Sequence, residues 1–199
     1  MGEPDGVLCK NDIALDCRTE SSCTLLILFH ALTHFSTIDF KLESLDPKLL
    51  TAYHEAGHAV VALAVGRPLQ KVTIAANRER LGLCHLQKGR SKPSKDWLED
   101  EILILLAGMA AEAQLTGDYN LAGATQDLRM ARRLAIMRAG SAPQAERLER
   151  KLLTKTEHLL SSEGYWSAVE KIAADLMERE TISGRAAQHW FDLAVQSND

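Results

Sequence analysis

Residues 49–66 read LLTAYHEAGHAVVALAVG. Just upstream, Asp46 and Pro47 supply an N-cap and a first-turn proline, and Gly66 with Pro68 beyond it supplies a stop, so the stretch is expected to form one helix. Tyr53, Ala56, Ala59, Val60, Val61, Leu63 and Val65 cover most of its circumference. A helix that is apolar on nearly all sides belongs inside a domain. Into this apolar surface the sequence sets three titratable groups, His54, Glu55 and His58. A buried charge without a partner is costly, and a bound metal ion would be such a partner.

The spacing suits an ion. Residues four apart lie on one helix face, so His54 and His58 project side by side. Glu55 is turned away from His54 by about 100°, at 3.6 residues per turn, and would border an ion without ligating it. This is the HExxH pattern of zinc hydrolases, in which the ion acidifies a water and the glutamate takes its proton during attack on a carbonyl. The same glutamate can return the proton to the leaving amine. Such a site needs a third protein ligand. A metzincin would carry glycine at 61 and histidine at 64, where this sequence has Val61 and Ala64, so that class is excluded. Downstream candidates are His85, Glu112, Asp118, Asp127 and His158, and spacing alone does not choose among them.

Working outward, KVTIA (71–75) and LGLCHLQ (81–87) read as two strands joined by the polar NRER, a hairpin. Ser94 is expected to cap a helix through KDWLEDEILILLAGMAAEAQL that ends at Gly117; the small residues of its second half favour close helix packing. DYNLAGAT is a loop, QDLRMARRLAIMRA an amphipathic helix broken at Ala142-Pro143, and two or three further helices are expected, over 143–161, 165–180 and 184–196. The fold class is therefore mainly α with one small β-hairpin, on residues 44–199, preceded by an extension over residues 1–43.

Composition narrows the function. In 199 residues, 46% hydrophobic and 25% charged, there is material for one domain with a real core. The net charge of −4 gives no general attraction to nucleic acid or to an anionic membrane. No GxxxxGK[ST] loop for nucleotide phosphates occurs. Cys9, Cys17, Cys23 and Cys84 form no CxxC pair; free thiols are expected rather than a zinc knuckle. The longest apolar run, Leu25–Phe29 within TLLILFHALTHF, is far short of the roughly 20 residues of a membrane span. Acidic residues precede it where a signal peptide would be basic, so a short helix packed on the main domain and a cytoplasmic location are expected.

Four blocks in order, AYHEAGHAVV, KVTIAANRERLGL, LLAGMAAEAQLTG and AGATQDLRMARRLA, resemble the peptidase domain of the FtsH family of membrane-anchored, ATP-dependent zinc proteases. AVEKIAADLMERETISG is similar to that family's C-terminal helices. The resemblance implies a zinc metalloendopeptidase with one Zn2+ per chain, held by His54, His58 and Asp127, with Glu55 as the base. Asp127 is the aspartate of the family's G-A-[ST]-N-D block, here with Gln126 in place of asparagine. A first-turn aspartate also suits a metal, since the helix dipole favours its ionised form. Glu112 corresponds to the first glutamate of an A-E-E block and is expected beside the ion, orienting a histidine. Gly82, Leu83, Cys84, His85 and Leu86 match the edge strand along which the family's polypeptide substrate runs, an arrangement that reads main chain rather than side chains.

Neither the family's ATPase module nor its membrane helices precede residue 46 in this sequence, and the stretch after GATQDL is shorter than in the family. Unfolded or flexible polypeptide is therefore the expected substrate, with a separate ATPase and a homo-oligomer as candidate partners. The competing expectation is a non-proteolytic regulatory or assembly partner of an ATP-dependent protease that keeps zinc for structure.

Overall fold

The computed structural model describes residues 45–76, 82–89, 94 and 96–197. The expected N-terminal extension, with Cys9, Cys17, Cys23 and the 24–35 segment, lies outside the described residues, as does the NRER turn.

Helix α1 (Pro47–Ala64) is the centre of the domain. Its start is the expected one: the Asp46 carboxylate accepts the backbone N–H of Lys48 at 2.8 Å, and Pro47 opens the first turn. Its end comes at Ala64, with Val65 as C-cap and Gly66 at φ 77° just beyond. Ala52 and every residue from His54 to Leu63 are buried, as a helix apolar all round requires.

Strands β1 (Leu69–Thr73) and β2 (Leu83–Leu86) pair antiparallel, with Val72 opposite Cys84. The expected hairpin is part of a larger sheet. A third strand, β3 (Thr181–Ser183), pairs antiparallel with the other side of β1 and sets Ile182 opposite Val72, giving the order β2-β1-β3. Three residues are too few to show an alternating pattern, which is why the sequence reads only as helix on either side of β3. Among the described residues, β2 is an edge strand of this sheet.

Helix α2 (Trp97–Thr116) is capped by Asp96 rather than by Ser94. The Asp96 side chain accepts the N–H of Glu99 at 3.2 Å; Ser94 sits one step outside, accepting the N–H of Asp96 at 3.2 Å and donating to Asp100. The helix stops at Gly117, whose φ of 87° is a left-handed C-cap. The small residues of α2 allow α1 to lie very close: a Cβ on Gly57 would fall 2.6 Å from the carbonyl oxygen of Ala107 and 2.7 Å from the Cβ of Ala111.

Helices α3 (Thr125–Ala139), α4 (Ala142–Leu160), α5 (Glu163–Arg179) and α6 (Gly184–Gln196) follow. α5 packs on the other side of α1, where Tyr53 and Trp166 meet with ring centroids 5.8 Å apart, and α6 packs on α5 and β1. α3 lies across α2 and α4 but buries only Ala131 and Ala135. Leu128, Leu134 and Ala139 pack half-buried against the core, and ion pairs add to this: Arg132 to Glu149 on α4 at 2.8 Å, and Arg138 to Asp96 at the start of α2. No helix among the described residues is long and apolar enough to cross a membrane.

Candidate metal centre

The one turn of α1 that breaks the apolar pattern faces α2 and the first turn of α3. His54 Nε2 and His58 Nε2 lie 3.0 Å apart. Asp127, in the first turn of α3, brings its Oδ2 to 3.2 Å from His54 Nε2 and 3.4 Å from His58 Nε2. Among the described residues this trio is the group of His, Cys, Asp and Glu side chains placed to hold a metal ion. Of the other third-ligand candidates, His85 and His158 are exposed, Asp118 accepts the N–H of Tyr119 at 2.8 Å, and Glu112 stands behind His54.

The far nitrogens of the two rings decide what the near ones can do. His54 Nδ1 is 2.5 Å from Glu112 Oε1, and His58 Nδ1 is 2.7 Å from the carbonyl oxygen of Ile104. Both partners are acceptors, so both Nδ1 atoms carry hydrogen. A neutral ring protonated at Nδ1 turns a bare lone pair toward the interior on Nε2. Two such lone pairs and a carboxylate oxygen, facing one another at 3.0–3.4 Å, repel unless a cation lies among them. The donor set fits a small divalent ion of the zinc type, two imidazoles and one carboxylate, with room for a fourth position. Without an ion, a proton does the same duty. Burial pushes His54 toward its neutral form, but its bonds to Asp127 and Glu112 and the charge of Glu55 outweigh burial and raise its pKa to about 10. Burial also acts to raise Asp127, yet the two histidines hold its carboxyl well below the usual carboxylate range.

Glu55 is buried beside this group and is outside the ligand trio. Burial pushes its pKa upward, against the pull of His58 and His54. The backbone N–H of Cys84 on β2 also acts to lower it. Gly82 gives the Glu55 carboxylate space, since a Cβ there would sit 2.5 Å from Glu55 Oε1. Glu112 is further engaged by Asn120 Nδ2, 3.5 Å from its Oε2, and Asn120 also accepts the N–H of Gly123 at 3.0 Å, which joins the loop before α3 to the acid behind His54.

The trio and Glu55 line a cleft of about 600 Å³, with Leu50, Ile104 and Leu105 among its apolar walls. Gly82, Leu83, Cys84 and Leu86 line it too, so β2 runs along the cleft. His85 does not: it points to the other face and bonds the Gln70 side chain. Alternation along a strand separates it from Cys84 and Leu86. Sequence reading does not find the Ile104 carbonyl, because a backbone acceptor leaves no residue-type signal. Asn120 carries only a loop signal.

Residues 42–140 match the family model described as Peptidase family M41. Over 91 residues, 44% of this chain, the chain is 41% identical to the ATP-dependent zinc metalloprotease FtsH of Chlamydia trachomatis serovar L2, and over 94 residues, 45% of the chain, 41% identical to that of Protochlamydia amoebophila. Over 95 residues, again 45% of the chain, it is 36% identical to FtsH of Rickettsia bellii. The matched segment spans only 10%, 10% and 15% of these three relatives' own lengths. The segment that holds the cleft and its ligand trio, residues 42–140, thus belongs to peptidase family M41.

Proposed function

We propose that this domain is a zinc-dependent endopeptidase that cleaves unfolded or flexible polypeptide, with Zn2+ held by His54, His58 and Asp127 and Glu55 as the general base. The observation that carries the reading is the convergence of three metal donors within 4.8 Å of one another, next to a buried carboxylate that is not among them. Family membership and relatives named zinc metalloproteases support it.

When bound, zinc supplies Lewis acidity: it polarises a peptide carbonyl and lowers the pKa of water. The chain's own residues do the rest. Glu112 and the Ile104 carbonyl fix the ring orientation and tautomer of the histidines, so that both present Nε2. Glu55, its pKa raised by burial, is a stronger base than a surface glutamate and still gives the proton back readily to a leaving amine. Glu55 and Cys84 of β2 line the same cleft. The edge strand β2 offers main-chain groups to an extended peptide. A folded protein rarely presents a free extended segment of that kind. A nucleotide-driven unfoldase is accordingly the proposed partner for folded substrates.

The test is digestion of unfolded casein by the zinc-loaded chain, beside Glu55→Gln, with no ATPase added. Cleavage by the parent chain, falling about 10²- to 10⁴-fold in a variant that still binds zinc, is the expected result. Zinc bound at one per chain with no cleavage by either protein would instead favour the non-proteolytic partner role.

A further inference from the structure

We propose that Gly108, in the middle of α2, is a positioning residue for the metal donors: only a residue without a side chain leaves both imidazoles where a single ion can reach them. The proposal rests on the reading of His54, His58 and Asp127 as a zinc site. A Cβ built on Gly108 would lie 2.5 Å from His54 Nε2, 2.6 Å from His54 Cδ2 and 2.6 Å from His58 Nε2. These are the donor nitrogens themselves, and every one of these distances is below any tolerable contact. The rings have no way to retreat. Each is pinned at Nδ1, His54 by Glu112 at 2.5 Å and His58 by the Ile104 carbonyl at 2.7 Å, so moving an Nε2 outward breaks the bond that sets its tautomer. Ile104 lies one turn before Gly108 on the same helix and Glu112 one turn after it. α2 thus approaches the histidine pair with an acceptor, a gap and a second acceptor, in steps of four residues.

Gly108 and Gly57 solve different problems. A Cβ on Gly57 would fall first on Ala107 and Ala111, so that glycine sets how near the two helices lie. Gly108 meets the imidazoles. Glycine in a helix interior costs stability relative to alanine, so by propensity alone Gly108→Ala would be a favourable change. The structure expects the opposite, because the atoms nearest the added Cβ belong to the two imidazoles.

Two measurements on the full chain test this. First, zinc affinity is read by competition with a chromophoric chelator. The parent chain is expected to bind one zinc, and Gly108→Ala to bind roughly 10- to 100-fold more weakly at unchanged far-ultraviolet circular dichroism. Second, thermal midpoints of the zinc-free proteins are compared in two backgrounds. Gly108→Ala is expected to lower the midpoint of the parent, and to leave unchanged or raise that of His54→Ala/His58→Ala, where the obstructed rings are gone. This cycle reads the steric conflict even if the single variant proves too unstable to titrate. Equal zinc affinity in Gly108→Ala and the parent would overturn the role of Gly108 while leaving the site intact. A drop of the same size in both backgrounds would overturn it as well, by locating the conflict elsewhere. Failure of the parent chain itself to bind zinc would instead sink the site reading, and the role of Gly108 with it.

Discussion

His54 meets three acidic groups at once: Glu112 behind its ring, Asp127 in front, and Glu55 as the next residue in the chain. In the zinc-free protein this keeps the ring protonated up to about pH 10. A raised histidine pKa stabilises the fold fully below its ordinary value of 6.5, and that contribution is lost as pH rises through about 10. Asp127, held low, contributes above its ordinary value of 3.8 and loses the contribution as pH falls below it. On the proposed ligand set, zinc must displace the His54 proton. Binding near pH 7.5 is therefore expected to release about one proton per zinc from His54, seen as a buffer-dependent heat in titration calorimetry, and affinity should climb with pH. A heat that is the same in buffers of different ionisation enthalpy would contradict this. Glu112→Gln keeps the shape behind His54 but removes the charge, and is expected to weaken zinc binding about 10- to 100-fold by chelator competition, with little change in helicity.

Elements show where sequence is legible and where it is not. α1 could be read almost residue by residue, because its cap, its all-round apolar surface and its two histidines are local signals. Asp46→Ala should cost about 1 kcal/mol in urea unfolding, the ordinary value of an N-cap. Asp127 is different. The sequence places it in the first turn of a helix, but its convergence with His54 depends on how α3 crosses α2, which no local pattern carries; the GATQDL block had to stand in for it. β3 and the Asp96 cap were missed for related reasons, the first too short to show a period and the second outcompeted in the reading by a serine two residues earlier. Gly57 is a glycine inside a helix, and nothing in the sequence names the neighbour it admits. Gly57→Ala is expected to destabilise by about 1–3 kcal/mol by overpacking against Ala107 and Ala111, despite the better helix propensity of alanine, and urea denaturation measures it.

For the molecule as a whole, the ion should act as a ligand of the folded state alone. Free zinc at about a hundredfold over its dissociation constant is expected to add about 2.7 kcal/mol to unfolding, and chelation should reverse the gain. The thermal midpoint would then rise with zinc in the parent chain and not in His58→Ala. That stabilisation need not spread evenly. On the proposed ligand set, two donors share one turn of α1 at the centre of the core, and the third comes 73 residues after His54 from α3, a helix whose fully buried side chains are two alanines, with Leu128, Leu134 and Ala139 half-buried on the core and ion pairs near the surface. Zinc bound there would be a clasp between the most deeply buried helix around the cleft and a far more exposed one. Stripping the metal should leave amide exchange in α5 and α6 as it was and quicken it in residues 118–130, because the strand of chain that closes the cleft is the one the clasp was holding shut.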